Sequence, residues 1–213
     1  MKLEPHNYLE LLALLTGILT FTRLRSLQSR AILLFLFVTV MVELSSLYIT
    51  TQVIMKNSTR IYNFYIYFLV VFFMFYLYRS FKGIGYKRAG LVFFWAFTVF
   101  YLLNILFWQQ LDQFNYFSYL AGSVLLIILA CLYLFELLEA ADEGILANES
   151  FWVTSGILFF FTGTFVYFLC WYFLVDQAAD KNGQLFRVLI QVINVIFYLL
   201  LSISFICQAG KKK

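Results

Sequence analysis

Seven apolar runs, each near the length of a membrane-spanning helix, divide the chain of 213 residues. A helix needs about 20 apolar residues to cross a bilayer. The runs lie at about 6–22, 31–51, 61–81, 89–109, 116–136, 151–174 and 186–207, with polar turns between them. The first run is short and contains Glu10. We predict an all-α fold, in which residues 1–213 form a single polytopic transmembrane bundle of seven helices.

The composition excludes a water-soluble globular domain. Hydrophobic residues make up 63% of the chain and charged residues 12%, whereas soluble domains average roughly 45–50% and about 25%. Seven spans would occupy roughly 140 positions and leave loops of about nine residues, too short for a kinase or nucleotide-binding domain. Any activity therefore belongs to the bundle or to a partner.

The distribution of Lys and Arg predicts the orientation of the bundle, because positively charged loops stay on the cytoplasmic side. Ten such residues fall on one side and five on the other. The ten are Arg23, Arg25, Arg30, Arg79, Lys82, Lys87, Arg88, Lys211, Lys212 and Lys213, and the five are Lys2, Lys56, Arg60, Lys181 and Arg187. We predict the N-terminus outside and the C-terminus in the cytoplasm. We expect the basic clusters to contact lipid headgroups and not nucleic acid.

The pattern of helix-breaking residues predicts continuous helices. Pro5 is the single proline, and five of the ten glycines lie outside the apolar runs, so the broken helices of transporters are not indicated. Small residues permit close helix packing. The sixth span carries Gly156 and Gly163 on one face with Phe159, Tyr167 and Cys170, and this face predicts a close contact with a neighbouring helix.

Motifs for catalysis, metal binding and cofactor attachment are missing from the sequence. His6 is the single histidine, and the three cysteines lie inside apolar runs without a CxxC pair. A retinal Schiff base requires a lysine in the last span, and residues 186–207 contain none. We therefore expect a non-enzymatic protein with no cofactor and no metal.

Glu43 is the most informative polar residue of the apolar runs. Thr39, Glu43, Ser46 and Thr50 recur at intervals of four, three and four residues, which places them on one stripe of a helix. Because charge is costly in hydrocarbon, we expect this stripe to face inward and Glu43 to be a neutral, hydrogen-bonding acid. The alternative is a structural hydrogen bond between helices.

Amides and carboxyl groups of several spans lie at a common depth. With the predicted orientation, they fall outward of the midpoints of their spans by roughly 3 to 12 Å. These residues are Glu10, Glu43, Asn63, Asn104, Gln191 and Asn194. We predict an outward-facing polar cluster with Glu43, Asn63, Asn104, Gln191 and Asn194 as ligand-binding residues, in which Glu43, Asn104 and Asn194 converge. Hydrogen bonds that merely join helices are the alternative for each residue.

Two further features leave alternatives open. Aromatic residues form 22% of the chain, which a well-packed, lipid-facing bundle explains, although an aromatic-lined ligand pocket would explain them as well. The fifth span is followed by an acidic group, comprising Glu136, Glu139, Asp142, Glu143 and Glu149. This group fits either a solvated helix end or a docking surface for a basic partner.

Four segments carry a resemblance that extends over most of the chain. They are VELSSLYIT at 42–50, RIYNFYIYFLVVFF at 60–73, FWVTSGILFFFTGTFVYFL at 151–169 and INVIFYLLLSISF at 193–205. Together they resemble a family of uncharacterised bacterial seven-helix membrane proteins, whose members are encoded beside, or fused to, two-component histidine kinases. Glu43, Asn63, Trp152 and Asn194 match positions where that family has polar or aromatic residues. That family has an acidic residue later in the third span, where this chain has Leu69 or Val70.

The resemblance implies a sensory input role in the bacterial inner membrane, with a histidine kinase or another signalling protein as partner. Our leading hypothesis is a membrane sensor whose outward-facing polar cluster responds to a small hydrophobic or polar ligand. The alternative is a small transporter or channel subunit gated around Glu43.

The predicted orientation can be tested with a topology reporter fused after Lys213. Because the Lys/Arg-rich loops should stay in the cytoplasm, we expect a cytoplasm-active reporter to give signal and a periplasm-active reporter to give none. Activity of the periplasmic reporter alone would reverse the orientation of the bundle.

Overall fold

The computed structural model describes residues 5–24, 26–52, 59–140, 144–170 and 183–210. These residues are almost entirely helical and include no strand. The helices are α1 (Pro5–Leu19), α2 (Leu27–Gln52), α3 (Thr59–Ser80), α4 (Ile84–Leu103), α5 (Tyr116–Glu139), α6 (Glu149–Leu169) and α7 (Gln184–Gly210). Short 3-10 turns lie at Phe21–Arg23 and Ile145–Ala147. The predicted all-α class is confirmed.

Six of the helices, α2 to α7, are long and apolar enough to cross a membrane. The protein is therefore an integral membrane protein built as a helical bundle. Helix α1 has 15 residues, and at about 1.5 Å per residue it spans roughly 22 Å. A hydrocarbon core is about 30 Å thick, so a seventh crossing by α1 stays a prediction, as does the orientation.

Helix contacts arrange the bundle as a closed ring. Helices adjacent in sequence pack against each other, and α1 also packs against α7. Gly17 permits this approach, because a Cβ atom at Gly17 would lie 2.6 Å from Leu33 Cδ1 and 3.1 Å from Phe205 Cε2. Helix α3 contacts α5 and α6, whereas α4 packs on α3 and α5.

The glycine face of α6 packs against α7, as the sequence predicts. A Cβ atom at Gly163 would lie 2.5 Å from Ile193 Cδ1, and one at Gly156 would lie 3.2 Å from Phe197 Cδ2. Tyr167 is buried on the same side. The prediction is wrong for Phe159 and Cys170, which are exposed, because they occupy the edge and the end of the stripe.

Helix α4 runs on without a break to Trp108, as the sequence predicts, but its last turn has a different winding. Residues Asn104–Trp108 form a π-helix, in which the Gln109 amide donates to the Asn104 carbonyl over 2.8 Å. The Asn104 side chain donates to Gln109 Oε1 over 3.1 Å and to Ser118 Oγ over 2.8 Å. Polar side chains thus support this irregular turn without a proline or glycine, so a search for helix breakers does not reveal it.

Four interlocking phenylalanines cross the centre of the bundle and form what we call the aromatic floor: Phe35, Phe73, Phe161 and Phe197. Each has at most 3% of its surface exposed. The Phe73 ring centroid lies 4.7 Å from that of Phe35, 6.2 Å from that of Phe161 and 5.9 Å from that of Phe197. The last two contacts are edge-to-face, an arrangement that aromatic quadrupoles favour. The floor joins α2, α3, α6 and α7.

Replacement of Phe73 by alanine should destabilise the bundle strongly, because a buried ring is lost from the floor and a cavity remains. Substitutions of this kind cost about 3–5 kcal/mol in protein cores. The matched control is Phe75→Ala on the same helix, where the ring is 57% exposed. We expect thermal denaturation in lipid nanodiscs to show a much lower midpoint for Phe73→Ala than for Phe75→Ala. Equal midpoints would show that the aromatic floor does not stabilise the bundle.

Candidate ligand-binding cavity

A cavity of about 610 Å³ lies above the aromatic floor. It reaches the end of the bundle at which α3, α5 and α7 begin, where Thr59, Phe114 and Gly183 line it. Along α7 it extends from Gly183 to Tyr198, about 22 Å at the rise of an α-helix. In the predicted orientation this end faces outward.

The wall of the cavity is dominated by aromatic rings. Its aromatic lining residues are Phe35, Tyr62, Tyr65, Phe114, Tyr119, Phe160, Phe168, Phe186, Phe197 and Tyr198. Ligand sites typically combine such an apolar lining with a few placed polar groups. The structure therefore contains an aromatic-lined pocket as well as a packed aromatic bundle. Both explanations for the high aromatic content apply.

Hydrogen bonds between α2 and α3 position the polar groups of one wall. Tyr62 donates its hydroxyl to Glu43 Oε2 over 3.3 Å. Thr39 donates to the Phe35 carbonyl over 2.9 Å, and its oxygen lies 2.9 Å from the Tyr65 hydroxyl. Because a hydroxyl has one proton to donate, Tyr65 is the donor to Thr39. The polar stripe predicted for the second span thus faces inward at Thr39 and Glu43.

Glu10 of α1 lies behind the same wall. It is 2% exposed, and its Oε1 atom is buried without a hydrogen-bond partner. Its carboxyl group is within electrostatic range of Glu43 and of Tyr62, Tyr65 and Tyr198, all of which line the cavity. We call Glu10 and Glu43 the carboxyl pair. The second carboxyl group here comes from α1 and not from the third span, where the chain has Leu69 or Val70.

Two of the five predicted ligand-binding residues line the cavity. Glu43 does so from α2 and Asn194 from α7, so these two residues border the same cavity, and their convergence stays a prediction. Gln191 is half-buried on α7 and is not a lining residue. A ligand-binding role for each of these residues stays a prediction.

Asn63 and Asn104 do not line the cavity. The Asn63 side chain donates to the Leu111 carbonyl over 2.9 Å and to the Gln113 carbonyl over 2.8 Å. Its Oδ1 accepts from the Asn115 amide over 3.0 Å. Asn104 bonds Gln109 and Ser118, so the predicted convergence of Asn104 with Glu43 and Asn194 is wrong.

The physical reason is the backbone of the loop between α4 and α5. Buried carbonyl and amide groups of an irregular loop need partners within the protein. Asn63 supplies them for the Leu111 and Gln113 carbonyls and the Asn115 amide, whereas Asn104 bonds the side chains of Gln109 and Ser118. Asn63 and Asn104 therefore form structural hydrogen bonds, which is the alternative to a ligand-binding role for these two residues.

The acidic group after the fifth span is also partly structural. Glu136 accepts hydrogen bonds from the Lys82 and Gly83 amides, the shortest 2.6 Å, at the start of α4. A carboxylate at a helix N-terminus pairs with unsatisfied amides and with the helix dipole. Glu139 is exposed and Glu149 opens α6, whereas Asp142 and Glu143 lie outside the described residues.

Sequence reasoning missed four groups that shape the site: Glu10, Tyr62, Tyr65 and Tyr198. A signal existed for three of them. Glu10 shares the depth of the polar residues, Tyr65 follows Asn63 on the third span, and Tyr198 follows Asn194 by four residues on the same helix face. Tyr62 shows no such signal, because a tyrosine at the end of an apolar run equally fits an interfacial anchor.

The fold and the cavity define a helical-bundle membrane protein with a deep aromatic pocket. Comparisons with protein-family models, with curated proteins and with solved structures found no match for the chain. In the part of the chain that the structure describes, no group of three or more His, Cys, Asp or Glu residues is placed to hold a metal ion.

Asn63→Ala should destabilise the protein, because three hydrogen bonds disappear and buried loop groups lose their partners. Each such loss costs about 1–3 kcal/mol. The control is Asp112→Asn in the same loop. Arg60 holds the pKa of Asp112 below its ordinary value, but the two side chains are 68% and 61% exposed, and exposed ion pairs contribute little.

Thermal denaturation in nanodiscs checks this prediction. We expect a clearly lowered midpoint for Asn63→Ala and a nearly unchanged one for Asp112→Asn. A larger effect of Asp112→Asn would show that the surface ion pair, and not Asn63, holds the loop.

Proposed function

We propose that this protein is a non-enzymatic membrane sensor, or signal-input module, of the bacterial inner membrane. Its cavity binds a small amphipathic ligand from the outward side, and a separate partner, such as a histidine kinase, receives the signal. The observation that carries the proposal is the closed lower end of the cavity. A ligand has room to bind, and the aromatic floor gives it no way through.

Packing below the cavity supports binding over passage. The floor residues contact each other at ring distances of 4.7 to 6.2 Å. Beneath them on α3, Met74 and Leu77 are fully buried. Proton or ion movement requires a chain of polar groups or water, and on α3 Phe73, Met74 and Leu77 provide apolar side chains at this level.

Helix α7 offers a route for the signal. It lines the cavity at Asn194, Phe197 and Tyr198 and continues to Gly210 at the opposite, Lys/Arg-rich end of the bundle. A ligand shifts a conformational equilibrium only if it binds one state better than the other. If α7 changes position between two states, a ligand that contacts α7 binds one state better than the other. Helices α1 and α6 pack along α7 and would move with it.

A transporter or channel gated around Glu43 is the second candidate. The buried carboxyl pair favours it, because intramembrane acids are common in ion and proton pathways. It requires the aromatic floor to open. Uptake of ligand or protons into proteoliposomes at a rate above protein-free vesicles would favour this candidate over a sensor.

Blocking the cavity tests the proposed function. Ile190 lines the cavity on α7, so Ile190→Trp should fill its upper part. Photolabelling with azi-adamantane, a neutral apolar diazirine, should mark cavity residues in the wild type and mark them about tenfold less in Ile190→Trp, the effect of roughly 1.4 kcal/mol of steric exclusion. Val192→Trp is the matched control, because Val192 is 52% exposed on the outer face of α7.

The signal itself can be followed with spin labels at Gly85 and Gly210, where an added side chain meets nothing within 4 Å. The native cysteines would be replaced first. We expect azi-adamantane to change the distance between the two labels in the wild type and not in Ile190→Trp. Absence of cavity labelling would contradict the binding step, and labelling without a distance change would contradict the sensor.

A further inference from the structure

The carboxyl pair lacks a cationic partner in the described part of the chain. Glu10 is 2% exposed with Oε1 unsatisfied, although buried polar atoms nearly always have a hydrogen-bond partner. No Lys or Arg among the described residues contributes to the electrostatic surroundings of Glu10 or Glu43. If both carboxyl groups of the pair were ionised, they would repel each other and lose hydration in the apolar bundle. A positive charge in the cavity beside Glu43 would offset these penalties.

The surroundings of the pair also suit a cation. Tyr62, Tyr65 and Tyr198 are within electrostatic range of both carboxyl groups. Tyrosine rings attract ammonium groups through their electron-rich faces, and sites for organic ammonium ions use such rings. The rest of the wall, including Phe160, Phe168 and Phe186, provides apolar contacts for a ligand body.

The remaining charge of the lining is Arg187, at the mouth. It lies seven residues before Asn194 on α7, about 10 Å higher along the helix axis. The backbone of Arg187 is therefore separated along the helix axis from a ligand cation at the depth of Asn194. In the deeper part of the lining, Glu43 is the acidic residue.

We propose that the cavity selects organic cations, namely protonated amines carried on an apolar body, with the ammonium group bound by Glu43, which lines the cavity, and with the buried Glu10 carboxyl group behind the wall adding to the attraction. This inference rests on the proposed ligand-binding function and specifies the chemical class of the ligand. A neutral molecule of the same shape brings no charge to pair with Glu43, and an anion brings a negative charge next to the acidic wall. The aromatic wall binds the apolar body in all three cases, so charge decides between them.

Three compounds of matched shape test the inference: 4-phenylbutylamine, 4-phenylbutanol and 4-phenylbutanoate. Binding is measured by equilibrium dialysis against the full chain in nanodiscs, with empty nanodiscs subtracted to remove partition into lipid. We expect the amine to bind at least about tenfold more tightly than the alcohol, as one charge-assisted contact allows. The carboxylate should show no saturable binding.

Charge-neutral variants locate the selectivity. Glu43→Gln should bring amine binding close to that of the alcohol, and Glu10→Gln should weaken amine binding by a smaller factor, because Glu10 is not a lining residue. Glu139→Gln is the matched control, because Glu139 is exposed on α5 and is not a lining residue, and it should keep the full preference for the amine. If a glutamine variant does not reach the membrane, the three-compound comparison on the wild type decides alone.

Two results would overturn the inference: equal binding of amine and alcohol by the wild type, or an amine preference that survives in both glutamine variants. If azi-adamantane still labels the cavity in either case, the proposed function stands and only the cation selectivity fails. If neither the neutral label nor any of the three compounds binds, both proposals fail.

Discussion

Pairing of buried polar side chains organises this bundle. In hydrocarbon a polar group must find its partner within the protein or in an enclosed cavity, and the chain meets this requirement in two ways. Asn63 and Asn104 bind the loop between α4 and α5 and so fix the ends of α3, α4 and α5. Glu43 instead lies at the wall of a cavity, with the Oε1 atom of Glu10 unsatisfied behind it. Polar residues at similar depth thus have two roles: some hold the fold together, and others line the candidate site.

Aromatic packing gives the cavity its closed lower end. Phe35, Phe73, Phe161 and Phe197 come from four different helices and meet at ring distances typical of favourable aromatic pairs. Gly156 lets α7 approach α6 at this level, since a Cβ atom there would lie 3.2 Å from the Phe197 ring. Because the floor depends on this close approach, the depth of the cavity is a consequence of how α6 and α7 pack.

The sequence predicts the class of fold well, and it predicts the site in part. Apolar runs identify the helices because hydrocarbon imposes their length, and a shared depth identifies Glu43 and Asn194. The role of Asn63 could not be predicted, since its partner Leu111 lies 48 residues away and helical periodicity reveals only which face of its own helix is polar. Glu10 was passed over because its position depends on α1 packing against α7. The π-helix leaves no mark in the proline and glycine pattern.

A cavity that opens at one side of the membrane and ends at the aromatic floor should admit a reagent from that side alone. Cysteine accessibility along α7 measures this, with a membrane-impermeant cationic thiosulfonate and the native cysteines replaced. Asn194 lines the cavity, whereas Leu201 is fully buried about two turns below it. We expect Asn194→Cys to react from the outward side only and Leu201→Cys to react from neither side. Reaction of Leu201→Cys, or of Asn194→Cys from both sides, would show a path through the floor and rule out a closed cavity.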